Sequence, residues 1–327
     1  MGAFAGLLQR AGFDVRGSDQ AAYPPMSTKL REWGIDVRTP YAPENLQPAP
    51  DLVIVGNAIR SANPEARAAL DRGLAHTSFP AALSELFLRD RHSVVVSGTH
   101  GKTTTSALIA HLLLDAGRDP SFLIGGIPTG WGESFRLGEG EHFVVEGDEY
   151  DTAFFDKRPK FLHYQPQTLV LTSLEYDHAD IYDSVEAIER AFDSLVDLVP
   201  PTGRIVACAS APRIMARLAR SRAPVITYGL NDADRTADAL ELGPFGARFV
   251  TTYAGQPEAF AIASAGTHNV ENALAALIVA EGAGVSAATA RDALAGFEGV
   301  ARRQTVRGIE AGVRVVDDFA HHPTAVA

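Results

Sequence analysis

The chain has 327 residues, 46% of them hydrophobic, a formal net charge of -11 and one cysteine. That length suffices for two or three domains, no apolar run approaches the roughly 18 residues of a membrane-crossing helix, and the acidic balance excludes a nonspecific nucleic-acid binder, which needs surplus Lys and Arg. Cys208 cannot close an internal disulfide and the N-terminus lacks the basic and apolar regions of a signal peptide, so a cytoplasmic protein with no membrane partner is expected.

In chain order, helical and strand patterns alternate, which predicts α/β units with mostly parallel sheets. The first unit, residues 1–88, reads as a Rossmann-like domain with helices over 2–11, 26–33 and 64–72 and strands over 13–17 and 51–56. A doubly wound domain opens on a central strand and a glycine turn, neither of which precedes the first helix, so the first strand is expected to be missing through truncation. The next strand ends in Gly17-Ser18-Asp19. An acid just past the second strand is where such domains meet a ribose or base edge.

The second unit opens on Val94-Val95-Val96, which runs through Ser97-Gly98-Thr99-His100-Gly101-Lys102-Thr103-Thr104 into a helix over 106–116. Small residues let backbone N–H groups close around an anion, Lys102 can reach outer phosphates, and the Thr103 hydroxyl suits Mg²⁺; the expected ligand is ATP or a relative. A general P-loop carries glycine five positions before its Gly-Lys pair, where this chain has Val96; Gly98 takes over in a shorter loop. A strand over 142–145 ends at Glu146 and the acidic run 147–151, and another over 168–171 leads to Asp177-His178-Ala179-Asp180. Ligands in open parallel sheets bind beyond the carboxyl ends of strands, so Glu146 and His178 become metal-ligand candidates. His178 is equally readable as a hydrogen-bonding or core histidine, because Mg²⁺ prefers oxygen.

Further on, Asn269 and Asn272 precede a helix over 273–282. Asn269 is readable as a helix cap, or with Asn272 as an amide pair facing adenine. Arg302 and Arg303 follow another helix, and a strand over 313–316 leads into Asp317-Asp318-Phe319-Ala320-His321-His322-Pro323. Neighbouring residues of a strand face opposite ways, so one metal shared by His321 and His322 is not expected.

Taken together, Gly98 to Thr104, the Glu146 strand end, Asp177-His178-Ala179-Asp180, His268-Asn269 with Asn272, Arg302-Arg303 and the Asp317 to Pro323 run resemble the Mur ligases of bacterial cell-wall synthesis. The resemblance implies a UDP-sugar domain (1–88), a central P-loop-type ATPase domain (89–304), and, in 305–327, a linker and the start of a peptide-binding domain that is largely missing. It implies Lys102, Glu146, His178 and Arg303 as catalytic residues and Thr103, Glu146 and His178 as Mg²⁺ ligands. Gly98, Thr99, His100, Gly101, Lys102, Thr103, Thr104, Asn269, Asn272, Arg302, Arg303, Asp318 and His321 are the implied ATP contacts. Ser18 and Asp19 would hold uridine, with Asn57, Ala58 and Ile59 near the diphosphate.

Within the family, the segment 149–161 resembles the branch that joins UDP-N-acetylmuramate to the murein tripeptide L-alanyl-γ-D-glutamyl-meso-diaminopimelate. The L-alanine-adding branch is the nearest alternative. Several sister ligases carry a carbamylated lysine fifteen residues after the counterpart of His178, where this chain has Asp193. Two other classes stay open: a P-loop kinase or hydrolase without ligation, and a noncatalytic fragment that binds nucleotides. As a truncated chain, the protein is expected to ligate poorly by itself.

Overall fold

The computed structural model describes residues 1–176 and 182–320. The first unit contains α1 (Gly2–Arg10), β1 (Arg16–Ser18), α2 (Met26–Glu32), β2 (Asp36–Arg38), β3 (Val53–Val55), α3 (Pro64–Asp71), β4 (His76–Ser78) and α4 (Phe79–Leu83). β1 pairs in parallel with β2, and β3 with β4, as separate two-stranded sheets. α3 starts sharply because Asn63 accepts the Glu65 and Ala66 amides, both at 3.0 Å, and Pro64 takes the first helical position. The strand expected over 13–17 pairs only over Arg16–Ser18, since Gly12 (φ 87°) turns the chain out of α1 and leaves Phe13 exposed. β2 and β4 carry no apolar alternation, which is why the sequence pattern passed over them.

The central unit is built on an eight-stranded sheet. Its members are β5 (His92–Ser97), β6 (Ser121–Leu123), β7 (Phe135–Arg136), β8 (His142–Gly147), β11 (Thr168–Leu171), β12 (Arg204–Cys208), β13 (Val225–Gly229) and β14 (Arg235–Thr236). The order is β14-β13-β12-β11-β5-β8-β6-β7, parallel throughout except for the edge strand β7. β9 (Asp151–Ala153) and β10 (Asp156–Pro159) form a hairpin just beyond β8. α5 (Lys102–Asp115), α6 (Val185–Leu198) and α7 (Pro212–Leu218) cover the sheet.

Every residue of β5 after His92 is buried, as a central parallel strand covered on both faces requires. Val94 and Val96 join a core with α5, while Val95 faces the opposite core, shared with Phe4 and Leu7 of α1. The first unit is therefore keyed into the central sheet. Phe4 meets Phe79 and Phe87 edge-on at 5.0 and 6.0 Å, and Trp33 meets Phe135 at 5.0 Å.

An antiparallel sheet of β15 (Asp238–Gly243), β16 (Gly246–Tyr253) and β17 (Gln256–Ile262) packs on α8 (Thr267–Gly282) and α9 (Ala287–Gly296). β16 alternates: Ala247, Phe249, Thr251 and Tyr253 are buried while Arg248 and Thr252 are exposed. A final hairpin, β18 (Thr305–Glu310) with β19 (Val313–Asp317), follows. No helix among the described residues is long and apolar enough to cross a membrane.

Candidate active site

Chain order reverses around β5, with β8 on one side and β11 on the other. The crevice beyond the carboxyl ends of these strands is where an open parallel sheet places its ligand. The loop 98–101 lies there and depends on glycine twice. Gly101, the N-cap of α5, has φ 80°, and a Cβ on it would lie 2.8 Å from Asn272 Oδ1. Gly98 has φ 143°, and its Cβ would lie 2.8 Å from both the backbone N and O of Ser173. Both values are hostile to side-chain-bearing residues.

The segment after β11 braces this loop. The Thr99 amide donates to Ser173 O at 3.2 Å, the His100 amide to Ser173 Oγ at 2.8 Å, and the Glu175 amide to Thr99 Oγ1 at 2.8 Å. The Thr99 and His100 amides are thus spent within the protein. The amides of Lys102, Thr103 and Thr104 precede the first intrahelical bond, Thr105 N to Gly101 O, and form the positive helix end. α5 begins at Lys102, four residues before the helix expected from its apolar spacing, so Lys102 and Thr103 belong to its first turn.

Lys102 Nζ donates to Gly98 O at 2.5 Å and lies 3.2 Å from Glu149 Oε2. Desolvation by itself would lower the Lys102 pKa, but Glu149, Asp148 and Glu146 outweigh it and hold the ammonium charged. Thr103 Oγ1 donates to Glu146 Oε2 at 3.1 Å and accepts from Arg303 Nη2 at 3.2 Å, so three residues from distant segments meet on one hydroxyl. Glu146 Oε1 also accepts the Gly125 amide at 2.5 Å. Desolvation, then the Asp148 charge, pushes the Glu146 carboxyl up to about 7, against these hydrogen bonds and Lys102. A carboxylate so short of positive charge, beside a hydroxyl, is a hard oxygen donor pair that would suit Mg²⁺.

Asn269 and Asn272 are in the first turns of α8, which starts at Thr267, earlier than expected. Gly266 is the N-cap, so the capping reading of Asn269 gives way. Asn272 Oδ1 accepts from Thr105 Oγ1 at 3.0 Å, its Nδ2 donates to Asn269 Oδ1 at 3.4 Å, and Asn269 Nδ2 donates to Ala265 O at 2.7 Å and Gln304 Oε1 at 3.2 Å. The pair buttresses the glycine loop and ties it to the 300–304 turn. Of the two arginines only Arg303 touches the cradle. Arg302 (φ 61°) stacks over Phe319 at 5.1 Å and lies 3.8 Å from Asp317. Asp318 accepts the Gln304 and Ala320 amides at 3.2 and 2.8 Å, closing the turn. His178 and His321 lie outside the described residues.

In the first unit Ser18 ends β1, and Asp19 Oδ1 accepts from Tyr41 Oη at 3.4 Å. Asn57 and Ala58 are exposed and Ile59 N donates to Gly56 O at 3.1 Å, forming the turn after β3. Glu149, Gln304 and Tyr41 had no assigned role in the sequence; their positions come from long-range packing that no local spacing reveals. Asp193, where sister ligases carry lysine, lies on α6 and pairs with Arg217 and Arg220, both at 3.1 Å.

Residues 96–280 match the Mur ligase middle domain, and residues 1–91 match the Mur ligase family catalytic domain. The UDP-N-acetylmuramate–L-alanyl-gamma-D-glutamyl-meso-2,6-diaminoheptandioate ligase of Escherichia coli (strain K12) is 40% identical over all of this chain and 71% of its own length. The UDP-N-acetylmuramate–L-alanine ligase of Anaeromyxobacter sp. (strain Fw109-5) is 36% identical over 100% of this chain and 69% of its own length. The crystal structure of a murein peptide ligase from Psychrobacter arcticus 273-4 superposes with a TM-score of 0.87 at 39% identity, covering 100% of this chain and 72% of that one. The chain belongs to the Mur ligase family.

Proposed function

We propose that the protein is an ATP-dependent ligase that joins the lactyl carboxylate of UDP-N-acetylmuramate to the amine of L-alanyl-γ-D-glutamyl-meso-diaminopimelate, in peptidoglycan recycling. The observation that carries this reading is the meeting of Lys102, Thr103, Glu146 and Arg303 at the carboxyl ends of β5 and β8. Relatives named for this tripeptide substrate match the whole chain at 40 and 41% identity. The nucleotide substrates favour a cytoplasmic site.

In the reaction, a carboxylate oxygen of the muramate attacks the γ-phosphorus of ATP, and ADP leaves with the bridging oxygen. The peptide amine then attacks the acyl carbon; phosphate departs with the oxygen that was the carboxylate's, and the amine's extra proton goes to solvent. The amides at the start of α5 and Lys102 hold the transferred phosphoryl group, and Arg303 lies on the same side to take up developing charge. Thr103 and Glu146 would hold Mg²⁺, which supplies charge neutralisation at the phosphates when bound. His178 is retained as a proposed second metal contact, and Ser18, Asp19 and the 57–59 turn as the uridine and diphosphate side.

A ligation assay of the full-length protein with UDP-N-acetylmuramate, ATP and either the tripeptide or free L-alanine tests the assignment. Amide formation with the tripeptide supports it. Preference for L-alanine would move the protein to the other branch, and ADP release indifferent to the muramate would remove it from ligation altogether.

A further inference from the structure

We propose that Glu149 is a positioning residue that competes with nucleotide phosphate for Lys102. It holds the ammonium while the cradle is empty and takes it back as ADP leaves, so it sets how tightly the cradle grips nucleotide. The inference rests on the ligase reading above and adds to it a residue that governs nucleotide release. Glu149 lies two residues beyond β8 and is 3% exposed, with its carboxylate oxygens 3.5 and 3.2 Å from Lys102 Nζ. The ammonium also donates to Gly98 O on the glycine loop, at 2.5 Å. Contacts to the loop and to a buried acid therefore occupy at least two of its three donors. The neighbouring acid, Asp148, has a different cation, Lys160 Nζ at 3.3 Å.

The backbone around Glu149 is clamped from both sides. Tyr182 Oη donates to Glu149 O at 2.6 Å, Phe161 N to Asp148 O at 3.3 Å and Lys160 N to Tyr150 O at 2.9 Å. The side chains of Lys102 and Glu149 are only 13% and 4% exposed, so water and salt screen their attraction far less than in a surface pair. Phosphate is expected at the Lys102, Thr103 and Thr104 amides, where α5 begins. To bind a phosphate oxygen there, the ammonium must loosen its hold on Gly98 O or Glu149, and the clamped acid cannot follow it. The phosphate also meets the fixed negative charge of that acid. Both effects weaken the grip on nucleotide. Release of product is a step that limits many enzymes, and a buried carboxylate that reclaims the phosphate lysine speeds it.

The test is calorimetric titration of this chain with ADP in magnesium buffer, for the natural protein and Glu149→Gln, with ADP dissociation followed by stopped flow. Glu149→Gln is expected to bind ADP about tenfold more tightly, mostly through slower dissociation, while UDP-N-acetylmuramate stays within about twofold. An acid that merely held the fold would weaken ADP when replaced, so weaker or unchanged ADP binding overturns the proposal. In a Lys102→Met background the same replacement should change ADP affinity by no more than about twofold. A full tenfold gain there would mean plain charge repulsion without competition for the lysine, and also overturns it. If Glu149→Gln fails to fold, Glu149→Asp draws the charge back by one methylene and should tighten ADP about threefold; no gain counts against the proposal. Failure of the natural protein to bind ADP would count instead against the ligase reading.

Discussion

Lys102 illustrates how a single side chain is poised without its ligand. Its ammonium is held between Gly98 O and the Glu149 carboxylate, so an arriving phosphate exchanges one anionic partner for another rather than paying to desolvate a free charge. In the full-length enzyme Lys102→Ala is expected to abolish ligation, lowering turnover by at least about a hundredfold, the scale of losing one transition-state charge contact. Near-normal turnover in that variant would contradict the assigned role. Glu146 carries the pH dependence. Its carboxyl stands at about 7 in the folded protein against 4.5 ordinarily, so the folded state keeps the proton more tightly than the unfolded one. Without metal, stability should therefore fall as pH rises from 4.5 to about 7. Denaturation of the natural chain and Glu146→Gln in chelator, across that pH range, measures it: the natural chain should lose ground against the variant, and parallel curves would refute the shift.

At the scale of elements, the loop between β5 and α5 is defined by what its glycines exclude. Gly98→Ala would drive a Cβ into the Ser173 backbone, while Gly101→Ala meets the Asn272 side chain, which can shift. Both add the cost of a left-handed or more extreme backbone, about 1–2 kcal/mol. Urea denaturation should therefore show Gly98→Ala to be the more damaging, with ATP affinity falling in both; equal stability of the three proteins would show that the brace is not rigid. The phosphate loop was legible in the sequence because its residues are contiguous, and Glu146 because it ends a buried run of apolar residues. Its supports were not. Glu149, Gln304 and the Thr172 to Glu175 brace come from segments far apart in the chain, and the three-residue strands β2 and β4 are held by partners rather than by their own pattern. The helix starts were placed too late because the apolar period begins only after the polar first turn, which in α5 and α8 carries candidate site side chains.

Across the whole molecule, the first unit and the central sheet share one apolar core, with Phe135 seated against Trp33 and beneath Gly6. The joint should transmit position: truncating Phe135 to alanine is expected to cost about 3–5 kcal/mol, the range for a buried aromatic, and to loosen the first unit ahead of the phosphate loop. UDP-sugar binding should then weaken more than ATP binding in side-by-side titrations, whereas equal loss of both would indicate global unfolding. The proposed reaction brings the lactyl carboxylate of the muramate to a phosphate held at the glycine loop. The most direct measurement is the fate of oxygen in UDP-N-acetylmuramate labelled with ¹⁸O in its lactyl carboxylate. Attack on the γ-phosphate predicts one heavy oxygen in the inorganic phosphate released with each amide formed. Unlabelled phosphate accompanying amide formation would contradict the account.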